Sequence, residues 1–137
     1  LRADIVSTRS RGRVSAARGT RGITVELNPE GLRRPGLSKV ADACAYALRA
    51  EKVKNAMISI TLLTPRRMAA LNRKHLGHAG ATDIITFGFR DPLGAVIGDI
   101  YICPDIAARN AKAFDRPVRE ELVRLAVHGA LHVLGYE

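Results

Sequence analysis

The chain closes on His128-Gly129-Ala130-Leu131-His132-Val133-Leu134-Gly135-Tyr136-Glu137. In an α-helix residues i and i+4 share a face, so both imidazoles point the same way and can grip one divalent ion through neutral ring nitrogens. That is half of a metal site. A catalytic zinc normally takes three protein ligands and keeps a fourth position for water, and Gly135 can stop the helix and turn the chain back toward the ion. The competing reading is a pair of packing or surface histidines. Position 129 also separates the pattern from the His-Glu-x-x-His of zinc peptidases, whose glutamate takes the proton from the metal-bound water. Glycine there argues against a conventional zinc protease.

Working outward, 137 residues of which 47% are hydrophobic suit one domain with a core and are too few for two. No stretch approaches the roughly 18 apolar residues of a membrane span, and no apolar run near residue 1 resembles a secretory signal. The expected location is the cytoplasm. Cys44 and Cys103 sit apart in apolar surroundings without a Cys-x-x-Cys spacing, so buried free thiols are expected.

The net charge of +9 is unevenly spread. Residues 1–22 carry Arg2, Arg9, Arg11, Arg13, Arg18 and Arg21 against Asp4 alone. This leader is rich in Ser, Gly, Ala and Arg, lacks periodicity, and reads as a disordered basic arm able to contact phosphate backbones by counterion release. Residues 23–137 are only mildly basic and form the expected folded domain.

Ile23-Thr24-Val25-Glu26-Leu27 alternates like a strand with one buried face. Apolar residues at Leu37, Val40, Ala41, Cys44, Ala47 and Leu48 make the stripe of an amphipathic helix running to Lys54. Met57 to Leu63 predicts a strand, and Thr64-Pro65 supplies an N-cap and first-turn proline for a helix to about His75. Thr82 to Phe89 and Val96 to Ile102 predict an antiparallel pair joined through Arg90-Asp91-Pro92-Leu93-Gly94. Pro104 and Pro117 each open a helix, the second carrying the histidines. The sum is a single α+β domain: a small mixed β-sheet of about four strands with packed helices and a zincin-like metal helix at the C-terminus.

Several segments in order make residues 23–137 resemble the bacterial YbeY family, metal-dependent proteins of ribosomal RNA maturation described as single-strand-specific endoribonucleases. The strongest is His128-Gly129-x-Leu131-His132-x-x-Gly135-Tyr136, similar to the family's His-Gly-x-Leu-His-Leu-x-Gly-Tyr-Asp-His. Leu71-Asn72, Thr82-Asp83-Ile84-Ile85-Thr86-Phe87 and Gly98-Asp99-Ile100-Tyr101-Ile102-Cys103 join it upstream. The resemblance implies that His128 and His132 are zinc ligands, that the third ligand follows directly after Glu137, and that the partners are rRNA and a ribosomal subunit. It departs at Leu76, where the family commonly has an arginine implicated in activity. His75 and His78 flank that place, and His75 is a candidate to supply the missing polar or cationic group.

The leading expectation is therefore zinc-assisted hydrolysis of RNA phosphodiesters, the ion lowering the pKa of its water toward roughly 7 and stabilising phosphoryl charge. Asp83 and Glu121 are candidates to orient a ligand imidazole or accept the water proton. Against these stand a strand-start cap for Asp83 and a solvated early-turn acid for Glu121. Asp99, inside an apolar strand, reads as a satisfied buried carboxylate. Two other functions stay open: a non-catalytic RNA or ribosome chaperone with a structural metal, and a zincin-like peptidase. Aromatic residues total 4%, which sets backbone contacts above base stacking as the mode of RNA binding.

Overall fold

Strand β2 (Ile23–Asn28) shows how the alternation becomes a sheet, since Ile23, Val25 and Leu27 are buried while Thr24 and Glu26 are half-exposed. The computed structural model describes residues 16–20, 22–34 and 36–136. Parallel strands need a long crossover, and helix α1 (Leu37–Ala50) supplies it between β2 and β3 (Ala56–Leu62). Helix α2 (Pro65–Leu76) follows, capped by Thr64, whose hydroxyl accepts from the Arg67 amide at 3.3 Å. Strands β4 (Ile84–Arg90) and β5 (Val96–Ile102) form the expected antiparallel hairpin, its loop closed by the Asp91 carboxylate accepting the Leu93 and Ala95 amides, each at 2.9 Å. Helices α3 (Pro104–Ala113) and α4 (Val118–Val133) complete the chain.

The sheet has five strands in the order β1-β2-β3-β5-β4, one more than the sequence suggested. The addition is β1 (Ala16–Thr20), antiparallel to β2, in the segment expected to be disordered. The proposed boundary at residue 22 therefore falls too late, because an edge strand gains its partner through backbone hydrogen bonds and needs no apolar pattern of its own. The rest of the basic leader, residues 1–15 and 21, lies outside the described residues.

Register assigns the two faces. Val25, Ile58, Gly98 and Gly88 lie side by side, as do Leu27, Ile60, Ile100 and Thr86. This face packs under α1 and α4 in one core that includes Val40, Cys44, Leu48, Leu122 and Ala126. The opposite face carries a smaller cluster of Met68, Ile85, Phe87 and Cys103 beneath α2. Both cysteines are buried free thiols, and burial pushes Cys44 up to about 12. Gly88 and Gly98 pair across the β4–β5 hairpin, and a Cβ on either would lie 2.8 Å from Cγ1 of Val133. The last turn of α4 rests on the sheet at these two glycines, and that contact fixes where the terminal histidines stand.

Candidate metal centre

Helix α4 packs Leu122, Ala126, Gly129 and Val133 into the core. That leaves its other side to His128, which is exposed, and His132, which is half-buried. The two rings are neighbours, with centroids 4.3 Å apart and planes tilted by 34°. Both line a cleft of about 310 Å³ whose other walls come from Asn72, Leu76 and His78 around the end of α2, and from Thr82 to Thr86 entering β4.

Local sequence explains how the helix ends beside this cleft. The Tyr136 amide donates to the Leu131 carbonyl at 3.0 Å and the Gly135 amide to the His132 carbonyl at 2.9 Å, the paired bonds of a Schellman motif. Gly135 has φ of 105°, a left-handed conformation that favours glycine. The helix stop expected at Gly135 is thus present. The Tyr136 hydroxyl then donates to Glu51 at 2.6 Å, tying the chain to the end of α1.

Gly129 has its own physical reason. An added Cβ would sit 3.0 Å from Ile84 Cδ1 and 3.2 Å from Ile100, so position 129 faces the sheet and not the cleft. A glutamate side chain there would enter the core instead of reaching water bound between the histidines.

The remaining sequence-predicted residues divide. Asp83 lies on the cleft wall, with Oδ1 accepting from the Thr82 hydroxyl at 3.4 Å and Oδ2 from the Asn110 amide at 3.3 Å. Asn72 is buried and donates to the Gly80 carbonyl at 3.0 Å, which holds the loop bearing His78. Leu76 lines the cleft as an apolar wall. His75 does not; its ring packs edge-on against Phe87 at 5.6 Å, on the far face of the sheet, and His78 is the loop histidine that reaches the site. Asp99 is half-buried, on that same face beside Ser59 and Phe87.

Glu121 is neither in the cleft wall nor solvated. It is 1% exposed, with Oε1 accepting from Arg124 Nε at 3.1 Å and Oε2 from Arg124 Nη2 at 2.6 Å, while Arg116 Nη1 approaches Oε1 at 3.4 Å. The Arg124 hydrogen bonds, and then the two positive charges, hold its carboxyl below the ordinary range despite the opposing effect of burial. Sequence reasoning passed over Arg124, Arg116 and Asn110. The Glu121–Arg124 pair had a signal in its i, i+3 spacing; Arg116 and Asn110 come from α3 and its exit, and had none.

Two imidazoles side by side on an open cleft fit two donor positions of a tetrahedral ion. Among the described residues no group of three or more His, Cys, Asp or Glu could hold a metal. No helix among them is long and apolar enough to cross a membrane.

Comparison with known proteins converges on one family. The family model described as endoribonuclease YbeY matches residues 31–137. Curated relatives of that name include one from Anaeromyxobacter sp. (strain Fw109-5), 40% identical over 84% of this chain, and one from Anaeromyxobacter dehalogenans, 38% identical over 80%. A third, from Methylococcus capsulatus, is 33% identical over 77% of this chain and 75% of its own length. The chain spans 62% and 57% of the length of the two Anaeromyxobacter relatives. The solution structure of TM1509 from Thermotoga maritima is similar with a TM-score of 0.53 and 25% identity, covering 82% of this chain and 73% of that one. The terminal helix with its histidine pair falls inside the matched region, and the chain belongs to the YbeY family.

Proposed function

We propose that the cleft is the active site of a zinc-dependent endoribonuclease that cuts single-stranded RNA in rRNA maturation and ribosome quality control. The observation that carries this is the imidazole pair of His128 and His132, side by side on an open cleft and held there by the packing of α4 on the sheet. Family membership and the printed activity of its curated members support the reaction class. His128 and His132 hold the ion, and the third donor comes from just beyond Glu137, after the turn at Gly135. Bound there, zinc supplies Lewis-acid polarisation of a phosphoryl oxygen and an acidic water.

The chain's own groups do the rest. Asp83, fixed by Thr82 and Asn110, accepts the proton of the attacking water as its oxygen bonds to phosphorus. The phosphorus bond to the leaving ribose oxygen breaks, and that oxygen takes a proton from solvent. Leu76 and Ile84 give the cleft apolar walls that strengthen charge interactions at the phosphate. The substrate is rRNA within a ribosomal subunit, and the protein works in the cytoplasm. One observation favours the chaperone reading: among the described residues no lysine or arginine lines the cleft, so none is placed to stabilise charge on a phosphate being cut. The peptidase reading has none, because Gly129 faces the sheet.

A chain that includes the residues after Glu137 is expected to bind about one zinc and to cleave labelled single-stranded RNA but not casein, with cleavage lost on chelation. His128→Ala and His132→Ala should each lose the zinc and lower cleavage roughly a thousandfold, since an ion contributes several kcal/mol to such a reaction. Unchanged zinc content in both variants overturns the metal site. RNA binding that survives chelation, with no cleavage by the loaded protein, replaces the nuclease with the chaperone.

A further inference from the structure

An RNA phosphate entering the cleft would meet carboxylate, amide, hydroxyl and imidazole groups between apolar walls, with no lysine or arginine among the described residues on the lining. A polyanion held only by such walls would be bound poorly, because phosphate affinity comes largely from cationic side chains that release counterions. The cation positioned to supply this is on the metal helix itself. Arg124 stands one turn before His128, and its side chain is 50% exposed. The i, i+4 spacing puts it on the same side of α4 as His128, and its guanidinium feels the charge of Asp83 on the cleft wall.

Arg124 is not an ordinary flexible surface arginine. Its Nε and Nη2 grip the two oxygens of Glu121, at 3.1 and 2.6 Å, and that carboxylate is itself buried. Arg116 reaches the same carboxylate from the end of α3, so two guanidiniums share one negative charge and the cluster keeps one positive charge in excess. Half of the Arg124 side chain is open to solvent, and the planar fork suits a phosphate as well as a carboxylate. Fixing a long cation in advance spares the rotamer entropy that phosphate binding would otherwise cost.

We infer that Arg124, clamped by Glu121, is the phosphate-binding residue at the mouth of the cleft, gripping a backbone phosphate of single-stranded RNA next to the phosphodiester presented to the histidines. The inference rests on the reading of the cleft as an RNA-cleaving site. Arg124 binds and positions; it takes no part in proton transfer.

Binding of a short fluorescein-labelled single-stranded RNA is measured by anisotropy over a salt series, without metal so that the RNA stays intact, and initial cleavage rates are taken after zinc loading. Arg124→Gln, which can still hydrogen-bond to Glu121, is expected to weaken binding about tenfold and to lower the slope of log affinity against log salt by about 0.7, one phosphate contact on a single strand. Its KM rises while kcat changes little, and Arg124→Lys keeps the slope. A purely structural role would move the melting temperature without moving the salt slope. Should Arg124→Gln unfold, Glu121→Gln combined with Arg124→Gln strands neither charge and carries the same measurement. Unchanged affinity and slope in a folded variant, with the parent chain cutting RNA, overturns the inference and leaves the nuclease reading intact. A parent chain that binds RNA through Arg124 yet cuts none after zinc loading overturns the nuclease reading and leaves the grip.

Discussion

The two sides of helix α4 are built from opposite materials. Toward the sheet it presents Ala126, Gly129, Ala130 and Val133, small or branched residues at or near full burial, meeting two sheet glycines that leave no room for a Cβ. Toward the cleft it presents His128 and His132, with the half-exposed Arg124 one turn before them, polar groups that retain access to water. The first side sets position to within a few tenths of an ångström, because interiors are close-packed and a misplaced methyl is felt. The second side carries the pair proposed to hold a metal, and that role needs a fixed position. A metal pair on a loosely packed helix would have the same spacing in sequence and a wandering geometry in space.

The sharpest way to break the arrangement is to lift the helix from below. At Gly88 an added Cβ meets Val133 Cγ1 at 2.8 Å, and also the Val133 carbonyl oxygen at 3.1 Å and Cα at 3.3 Å. Backbone cannot rotate out of the way as a side-chain tip can. Gly88→Ala is expected to cost about 3 kcal/mol by overpacking, and to weaken zinc binding because the last turn of α4 is displaced. At Gly98 the three nearest atoms to an added Cβ are all in side chains, of Val133 and Ile58, and Gly98→Ala is expected to cost about half as much. Urea denaturation of both variants alongside zinc titration checks the order; equal costs with unchanged zinc affinity would separate the glycine contact from the site.

How much of this could be read in the sequence follows from the range of each interaction. The histidine pair, the turn at Gly135, the Thr64-Pro65 start of α2 and the β4–β5 hairpin are all set by residues within five positions of one another, and all were legible. The insertion of β5 between β3 and β4 was not, because strand order depends on pairing across the whole chain. Strand β1 was hidden by an Arg- and Gly-rich composition that reads as solvent-loving. Glu121 shows the limit most clearly. The sequence offers it as a carboxylate that orients a ligand imidazole or as a solvated early-turn acid, but position along a helix does not say which element lies above, and here Arg116 arrives from the end of α3 and Arg124 folds back to close it in.

That buried carboxylate gives a second, smaller test, on the boundary between the two sides. Glu121→Gln keeps the shape and removes the charge. Both arginines retain water, at 38% and 50% exposure, so the loss is expected to be about 2 kcal/mol at neutral pH, below the usual cost of stranding a buried partner. The pH dependence has a fixed sign. The folded carboxyl lies below its ordinary value of 4.5, so its stabilisation is complete above that value and disappears as pH falls through the lowered one. Melting curves of parent and variant should differ at pH 7 and converge in acid. A gap that persists under strongly acidic conditions would mean that packing, not charge, is what Glu121 contributes.

The smallest effect is expected at Gly129, and its sign tests how tightly the sheet side is packed. Alanine in a helix interior is favoured over glycine by about 1 kcal/mol. Against this, the new methyl would lie 3.0 Å from Ile84 Cδ1 and 3.2 Å from two Ile100 atoms, closer than ordinary contact, so these side chains must shift at a cost of roughly 1 kcal/mol. Ile84 is at the edge strand and only half-buried, so it can give way; Ile100 is fully buried in β5, between β3 and β4, and cannot move as far. The two terms nearly cancel, and Gly129→Ala should change stability by no more than about 0.5 kcal/mol while leaving zinc content and RNA cleavage as in the parent. A loss of zinc without loss of stability would show that the methyl tilts α4 about Ile100, and that the histidine side is more sensitive to rotation of the helix than to its lifting.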